Sequence, residues 1–443
     1  MSSATPVATM RTELTALVGD GRVFDDPAEL STSSVDGVLP AAVVAPGSVE
    51  EVAAVLSLAS ARGWATVPAG AFHQQGVGFT PERVDLVLRT DRLQGIEHYD
   101  PGDLTVGMAA GTRLGAIFCA LGEHHQLLPL DPPQASEHTI GGAMAAASSG
   151  PLKHGYGGLR ESCIGIKFVT GDGKVGRGGG RVVKNVAGYD LMKLMIGSWG
   201  TLGVIVGASF KVFPRPRQTR TYVCDFLLSG GAIQFRDRLM RSPLPFMAAD
   251  LLSPRASEYV PGMQSQNWRL LLRAAGSDAV LARYRNELGH YIVGDFEGAE
   301  EEKLWGAVSD FSETVRKRHH NAMVLSLSVP PESLGAALAA ADRAGIENNF
   351  LPALLGRCMA GSLVLAFIPL AVDPPAAVQY VNAASALRAG LTRDSSAVVV
   401  RCPIEAKRHF SVWGDTPTDL GLMRTIKQAL DPAGILNRGR FML

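Results

Sequence analysis

The residue groups in this chain with the clearest chemical use are three glycine-rich stretches between positions 68 and 203. The first reads Pro68-Ala-Gly-Ala-Phe-His-Gln-Gln-Gly76. The second is Thr139-Ile-Gly-Gly142 followed by Ser148-Ser-Gly150, and the third is Gly197-Ser-Trp-Gly-Thr-Leu-Gly203. Glycine has no Cβ and adopts positive φ freely, so successive backbone N–H groups can converge on one anion. A diphosphate needs several such donors at close range. One glycine loop alone is usually a turn, whereas three in this order point to a phosphate-bearing cofactor. Two common phosphate-binding devices are excluded. No G-x-x-x-x-G-K-[ST] occurs, and Gly178-Gly-Gly180 has no helical pattern behind it, as a Rossmann fingerprint requires.

Such loops need rigid elements on either side. Residues 41–45 read as a buried strand broken at Pro46-Gly47. Ser48 and Glu51 form an S-x-x-E helix start, Val52, Val55, Leu56 and Ala59 follow at helical spacing, and Gly63 ends the run. A second strand over 65–67 feeds the first glycine loop, and another is expected over 84–88. Further on, 104–108 reads as a strand and Thr112 as the cap of a helix through Leu121. Residues 162–175 read as a hairpin around Gly171-Asp-Gly173, residues 190–196 as a short helix and 201–213 as a strand. Pro214-Arg-Pro216 breaks the chain there. From 217 to 396 strands and helices alternate with no glycine-rich loop, as in an α+β unit. The last segment, 397–443, holds a strand, a helix near 419–430 and a glycine-containing tail.

The chain has 443 residues, with 42 Lys+Arg against 42 Asp+Glu. That length suggests two or three domains, and the balanced charge speaks against nucleic-acid binding. The 5 cysteines are scattered and form no CxxC pair, which argues against a disulfide framework or an iron–sulfur ligand set. No basic stretch followed by an apolar core opens the chain, and no apolar run is long enough to span a bilayer. A cytoplasmic protein is the expectation.

Two adjoining motifs are more specific. Val182-Val-Lys-Asn-Val-Ala-Gly-Tyr-Asp190 and Gly197-Ser-Trp-Gly-Thr-Leu-Gly-Val-Ile205 closely resemble the flavin domain of the vanillyl-alcohol oxidase (PCMH-type) superfamily. Within it, the FAD-binding E subunits of bacterial glycolate oxidases fit best. Asp131-Pro-Pro133, His154-Gly-Tyr-Gly-Gly-Leu-Arg-Glu161 and Leu430-Asp-Pro-Ala-Gly-Ile-Leu-Asn-Arg-Gly-Arg440 add to the resemblance, which covers about 38–216 and 397–443. It implies an α+β fold: a PCMH-type FAD-binding domain over 1–216, with subdomains of about 38–103 and 104–216. A cap over 217–396 and a returning segment over 397–443 complete it.

The resemblance also implies residue roles. Gly70, Ala71, Phe72, His73, Gln74, Gln75 and Gly76 would cradle the diphosphate of FAD. Asp131, Pro132, Thr139, Gly141, Gly142, Ser148, Ser149 and Gly150 would run beside flavin and diphosphate. Gly197, Gly200, Thr201, Gly203, Val204 and Ile205 would line the adenine end, and Asn437 would return with the tail. Covalent-flavin relatives carry His in the slot held here by Ala71, so the FAD is expected to be non-covalent. The implied reaction moves hydride from a 2-hydroxy acid, such as glycolate or lactate, to flavin N5. Partner flavoprotein and iron–sulfur subunits would take part. A non-catalytic electron-relay subunit and a flavin-free structural partner remain as alternatives.

Few other residues could do chemistry. Arg401 ends an apolar strand and could hold a substrate carboxylate or sit in a structural ion pair. Tyr189 and Lys184 are expected to position the flavin or pack its loop. No metal site is expected. His319-His320 would point apart, and Gly289-His-Tyr-Ile-Val-Gly-Asp295 imitates poorly the metal motif G-H-x-G-D-G-N-x-H of related 2-hydroxy-acid dehydrogenases. His124-His125 read as solvated residues past a helix end.

Overall fold

The computed structural model describes residues 7–180, 189–371 and 373–443. The first layer is a four-stranded sheet in the order Val23–Phe24, Ala42–Val44, Leu86–Arg89, Thr66–Ala69, with the last three strands parallel. Helix Val49–Arg62 packs on it through Val52, Val55, Leu56 and Ala59. Ser48 Oγ accepts the N–H of Glu51 at 3.1 Å, and Gly63 ends the helix at φ 67°. The Glu51 carboxylate reaches back one residue further than a capping box does, to the Gly47 N–H at 2.6 Å.

An antiparallel five-stranded sheet follows, ordered Ile96–Asp100, Thr105–Ala109, Val204–Lys211, Cys163–Val169, Val175–Gly179. The hairpin over 162–175 is present within it. The capping role expected of Thr112 is not. Its hydroxyl donates to the Ala109 carbonyl at 2.7 Å, and helix Leu114–Gly122 starts after Arg113 with no side-chain cap. A local hydrogen bond to its own turn won over the helix end. The dense Gly/Ala stretch hides a short helix, Ile140–Ala145, capped by Thr139 Oγ1 on the Gly142 N–H at 3.3 Å.

The largest layer is an eight-stranded antiparallel sheet. Its order is Ile292–Phe296, Thr219–Phe226, Trp268–Ala275, Ala248–Leu252, Phe350–Arg357, Ser362–Pro369, Met323–Ser328, Ser396–Arg401. Helices Ser229–Met240, Asp278–Leu288, Leu334–Glu347 and Ala377–Gly390 bury one face. Helices Gly298–Ser309 and Phe311–Arg318 cover part of the other, and the remainder of that face looks onto the glycine loops. The edge strand carries a bulge. Val399 pairs with Leu325 but Arg401 pairs with Val324, so Val400 is an extra residue. Arg401 is thereby turned off the face that Val399 buries, onto the face toward the loops.

The tail closes the molecule. Helix Leu420–Leu430 rests Ile426 and Leu430 on the core beside the five-stranded sheet. Beyond it the Thr66 N–H donates to the Ile435 carbonyl at 2.8 Å and the Asn437 N–H to the Thr66 carbonyl at 2.9 Å. The tail thus lies beside the strand that feeds the first glycine loop.

Candidate functional site

The loop after strand Thr66–Ala69, the start of helix Ile140–Ala145 and the turn at 199–205 enclose one cleft of about 870 Å³. Its walls are largely backbone. The amides of residues 70–74 donate to no acceptor among the described residues, and Phe72 sits at φ 61°. Successive free N–H groups around a left-handed residue form an anion nest. The segments meet closely: a Cβ on Gly70 would lie 2.1 Å from Thr139 Oγ1, and one on Gly141 2.8 Å from the Ala110 side chain. At the far end Gly200 has φ 65°, and its Cβ would lie 2.9 Å from Asn437 Nδ2. Asn437 donates to the Trp199 carbonyl at 2.6 Å, while its Oδ1 is buried without a partner. Free amides at one end and an orphaned acceptor at the other fit an FAD, whose diphosphate needs donors and whose adenine offers an amine.

What orients the first loop lies outside it. Three cations from the last part of the chain hold its carbonyls. Lys407 Nζ donates to the Gly76 carbonyl at 2.7 Å and to Asp36 at 2.6 Å. Arg440 donates to the carbonyls of Gln75, at 2.5 Å, and Val77. Arg401 donates to the carbonyl of His73. A peptide unit is a dipole, so fixing its carbonyl helps to fix the direction of the neighbouring amides. Nothing in the spacing of 68–76 announces this; its signal was the run of basic residues in a tail that otherwise reads as loop.

The cleft opens into a second space of about 1110 Å³. Its roof is the free face of the eight-stranded sheet, with Arg357, Ser362, Val364, Ser326 and Val398. Its floor holds Ser148, Ser149 and Trp199, and Glu313 stands at the side. His73 and His138 line both spaces. Their rings stack at 4.4 Å, and His73 Nε2 lies 3.9 Å from the Glu137 carboxylate. Burial pushes His138 down to about 4, helped by the neighbouring His73. Burial also lowers His73, against the pull of Glu137. Both imidazoles are therefore neutral near pH 7 and able to accept a proton.

Most sequence candidates line this one cleft, and some do not. Gly70, Ala71, Phe72, His73, Gln74, Gln75, Thr139, Gly141, Gly142, Gly200, Thr201, Gly203, Val204, Ile205 and Asn437 line the cleft. Ser148 and Ser149 line the adjoining chamber instead. Gly76, Gly150 and Gly197 line neither. Gly150 is a packing glycine, since its Cβ would lie 1.8 Å from the Asp131 carbonyl. Asp131 and Pro132 border a different groove. Asp131 accepts the Leu152 N–H at 3.0 Å, and its burial raises it to about 7. Arg401 forms no carboxylate ion pair within 4.0 Å among the described residues; carbonyls occupy it. Tyr189 is 91% exposed. Lys184 and the rest of 182–188 lie outside the described residues.

His138 and Arg357 were missed, and with His138 its pairing with His73. Sequence gave no hint that residues 73 and 138 stack. For Arg357 a signal existed: 356–364 follows the nine-residue spacing of the metal motif better than 289–295 does. Gly356 and Gly361 stand in place, with Arg357 and Val364 in the two histidine slots. Among the described residues no group of three His, Cys, Asp or Glu could hold a metal ion. No described helix is long and apolar enough to cross a membrane.

Known proteins align with this geometry. The profile of an FAD binding domain matches residues 40–179, and that of the C-terminal domain of FAD linked oxidases matches 215–384 and 406–441. Glycolate oxidase subunit GlcE of Escherichia coli is 46% identical over 125 residues, covering 28% of this chain and 36% of that protein. The chain thus spans about a third of the length of that relative. A D-2-hydroxyglutarate dehydrogenase of Xanthomonas citri is 27% identical over 424 residues, covering 90% of this chain and 89% of that one. Substrate-bound p-cresol methylhydroxylase superposes with a TM-score of 0.74 at 16% identity, over 98% of this chain and 96% of that chain.

Proposed function

We propose, from the premise that this chain belongs to the PCMH-type FAD-linked oxidases, that it oxidises a 2-hydroxy acid of the glycolate or lactate class to the 2-oxo acid. The observation that carries this reading is the nest of free amides opening, past two neutral histidines, into a chamber with arginines in its roof. Bound FAD supplies a two-electron acceptor for the hydride. The chain does the rest. The amides of 70–74 and the tail-held loop bind the diphosphate, and the 199–205 turn with Asn437 holds the adenine end.

Oxidation of the carbinol also needs a base for the hydroxyl proton. His73 is that base, at an imidazole nitrogen, because it faces both cleft and chamber and is kept neutral by burial. His138, 4% exposed, stacks behind it and fixes its plane. The sheet face above excludes water.

The FAD is held without a covalent bond. Ala71 has no nucleophile, and no cysteine lines the cleft. The chain works with partner subunits, as the name of a glycolate oxidase subunit among its relatives suggests; a second flavoprotein and an iron–sulfur protein are the partners that the sequence resemblance implies. The test is direct. The purified chain, mixed with FAD, should absorb in the blue, and acid precipitation should leave a colourless pellet. Anaerobic glycolate or lactate should then bleach the flavin, slowly with the chain alone and faster with its partners. A chain that takes up no FAD, or a flavin that no 2-hydroxy acid reduces in either setting, refutes the reading.

A further inference from the structure

We propose that Arg357 is the carboxylate anchor of the chamber, and that Arg401, the candidate from sequence, is instead a positioning residue of the cofactor loop. The inference rests on the 2-hydroxy-acid reading only for the nature of the substrate. The two arginines differ in how their donors are used. Arg401 donates to the carbonyls of His73 and Val400, so its fork is engaged with the loop and with its own strand. Arg357 is 5% exposed, and its side chain donates no hydrogen bond among the described residues. Its Nε is buried without a partner, and the residue lines the chamber. A guanidinium has five donors in a planar fork whose natural complement is a carboxylate.

The neighbouring charges do not satisfy it. Asp250 pairs with Arg357 across the strands, yet its nearest oxygen lies 3.8 Å from Nε, beyond hydrogen-bond reach. Both Asp250 oxygens are buried and unpartnered as well. A purely structural pair would have closed to a bidentate contact. Burial holds Asp250 at about 6, which weakens its claim on the guanidinium in mildly acidic solution. Asp131 and Lys153 also act on Arg357, with opposing signs.

The chamber supplies the remaining contacts. Ser362 stands opposite Arg357 in the adjacent strand, and Ser148 Oγ on the floor is buried without a partner. A small hydroxy acid fits this pattern, with its carboxylate on Arg357 and its hydroxyl toward the histidine pair.

Oxalate tests the assignment. It is a carboxylate with no hydrogen to give, so it leaves the flavin oxidised. Titrated into the FAD-loaded full chain, oxalate should perturb the flavin spectrum saturably, and calorimetry should give the same Kd. Arg357→Met should weaken oxalate about 100-fold, within the range for stripping a buried charged contact. Arg357→Lys should recover part of that loss. Since Arg357→Met strands Asp250, the double variant Arg357→Met/Asp250→Asn removes both charges and guards against misfolding. Arg401→Met should lower FAD affinity and, once loaded, keep the wild-type oxalate Kd.

Two results overturn the proposal: wild-type oxalate affinity in a folded, FAD-loaded double variant, or no oxalate binding to the wild-type holoprotein. Oxalate bound through Arg357 in a protein whose flavin no 2-hydroxy acid reduces would keep the anchor and refute the activity instead.

Discussion

The cleft and the chamber share His73 and His138 as a common wall, yet they are made of different materials. The cleft is backbone: free amides at 70–74, glycines at 141, 142, 200 and 203, and a tail that adds Asn437. The chamber is side chain: Arg357, Ser362, Ser326 and Val398 come from four strands of one sheet, facing Ser148 from another layer. A cofactor shared by a whole family can be held by main-chain groups, because its diphosphate is always the same. A substrate must be chosen by side chains, which can differ from one chain to the next on the same backbone. The cofactor end therefore carries a family signature, and the substrate end carries this protein's individuality.

Four variants would break or sharpen that contrast. The largest effect is expected at the shared wall. His73→Ala should slow anaerobic flavin reduction by about 10²–10⁴-fold, the usual worth of a positioned base. FAD should stay bound, and added imidazole should restore part of the rate; stopped-flow absorbance reads both. An unchanged rate would move the base elsewhere.

Next comes the clamp behind the loop. Lys407 and Asp36 have side chains 1% and 6% exposed, so Lys407→Met leaves a buried carboxylate with only Arg440 Nη1, at 4.0 Å, and frees the Gly76 carbonyl. A loss of about 3 kcal/mol in unfolding free energy is expected, together with weaker FAD binding. Denaturant titration of apo- and holoprotein measures both, and a fully stable variant with tight FAD would dismiss the clamp.

The third variant addresses the cleft alone. Gly200→Val forces a β-branched residue to φ 65° against Asn437. Strain of about 2 kcal/mol, felt mostly on cofactor binding, corresponds to roughly 30-fold weaker FAD. The apo-protein should melt near the wild-type temperature. If it unfolds instead, Gly200 is only a turn glycine.

The smallest effect separates Asp131 from the cofactor. Its folded pKa of about 7 exceeds the ordinary 3.8, so its contribution is full below 3.8 and is lost as pH rises through 7. Asp131→Asn should therefore raise the melting temperature by a few degrees at pH 8 and leave it unchanged at pH 4. FAD affinity should not move, and a large drop would return Asp131 to the cofactor site. His138 slopes the other way. Its lowered pKa of about 4 means stability is present above 6.5 and lost as pH falls through 4.

Much of this was legible because it is local. Helix Val49–Arg62 declares itself by Ser48, its apolar spacing and Gly63, all within sixteen residues. The hairpin at 162–175 and the three glycine loops are local too. Thr112 shows the limit even of local reading, since a hydroxyl three residues from a carbonyl can prefer it to a helix end. Arg401 shows a second limit. Strict alternation would place it with Val399 in the core, and one extra residue in the strand reverses that.

What the sequence by itself determined is the cofactor and the kind of loop that holds it, since backbone chemistry is written in glycine and its near neighbours. Only the tertiary structure decided which cations face the cofactor loop and which face the chamber. Arg357, Arg401, Lys407 and Arg440 look alike as letters, and each is assigned its partner by strand register, a bulge or the path of the tail. The same holds for His73 and His138, 65 positions apart in sequence and 4.4 Å apart in the fold. A charge or an imidazole acquires its role from what lies within a few ångströms, and that is set by packing between segments rather than by order along the chain.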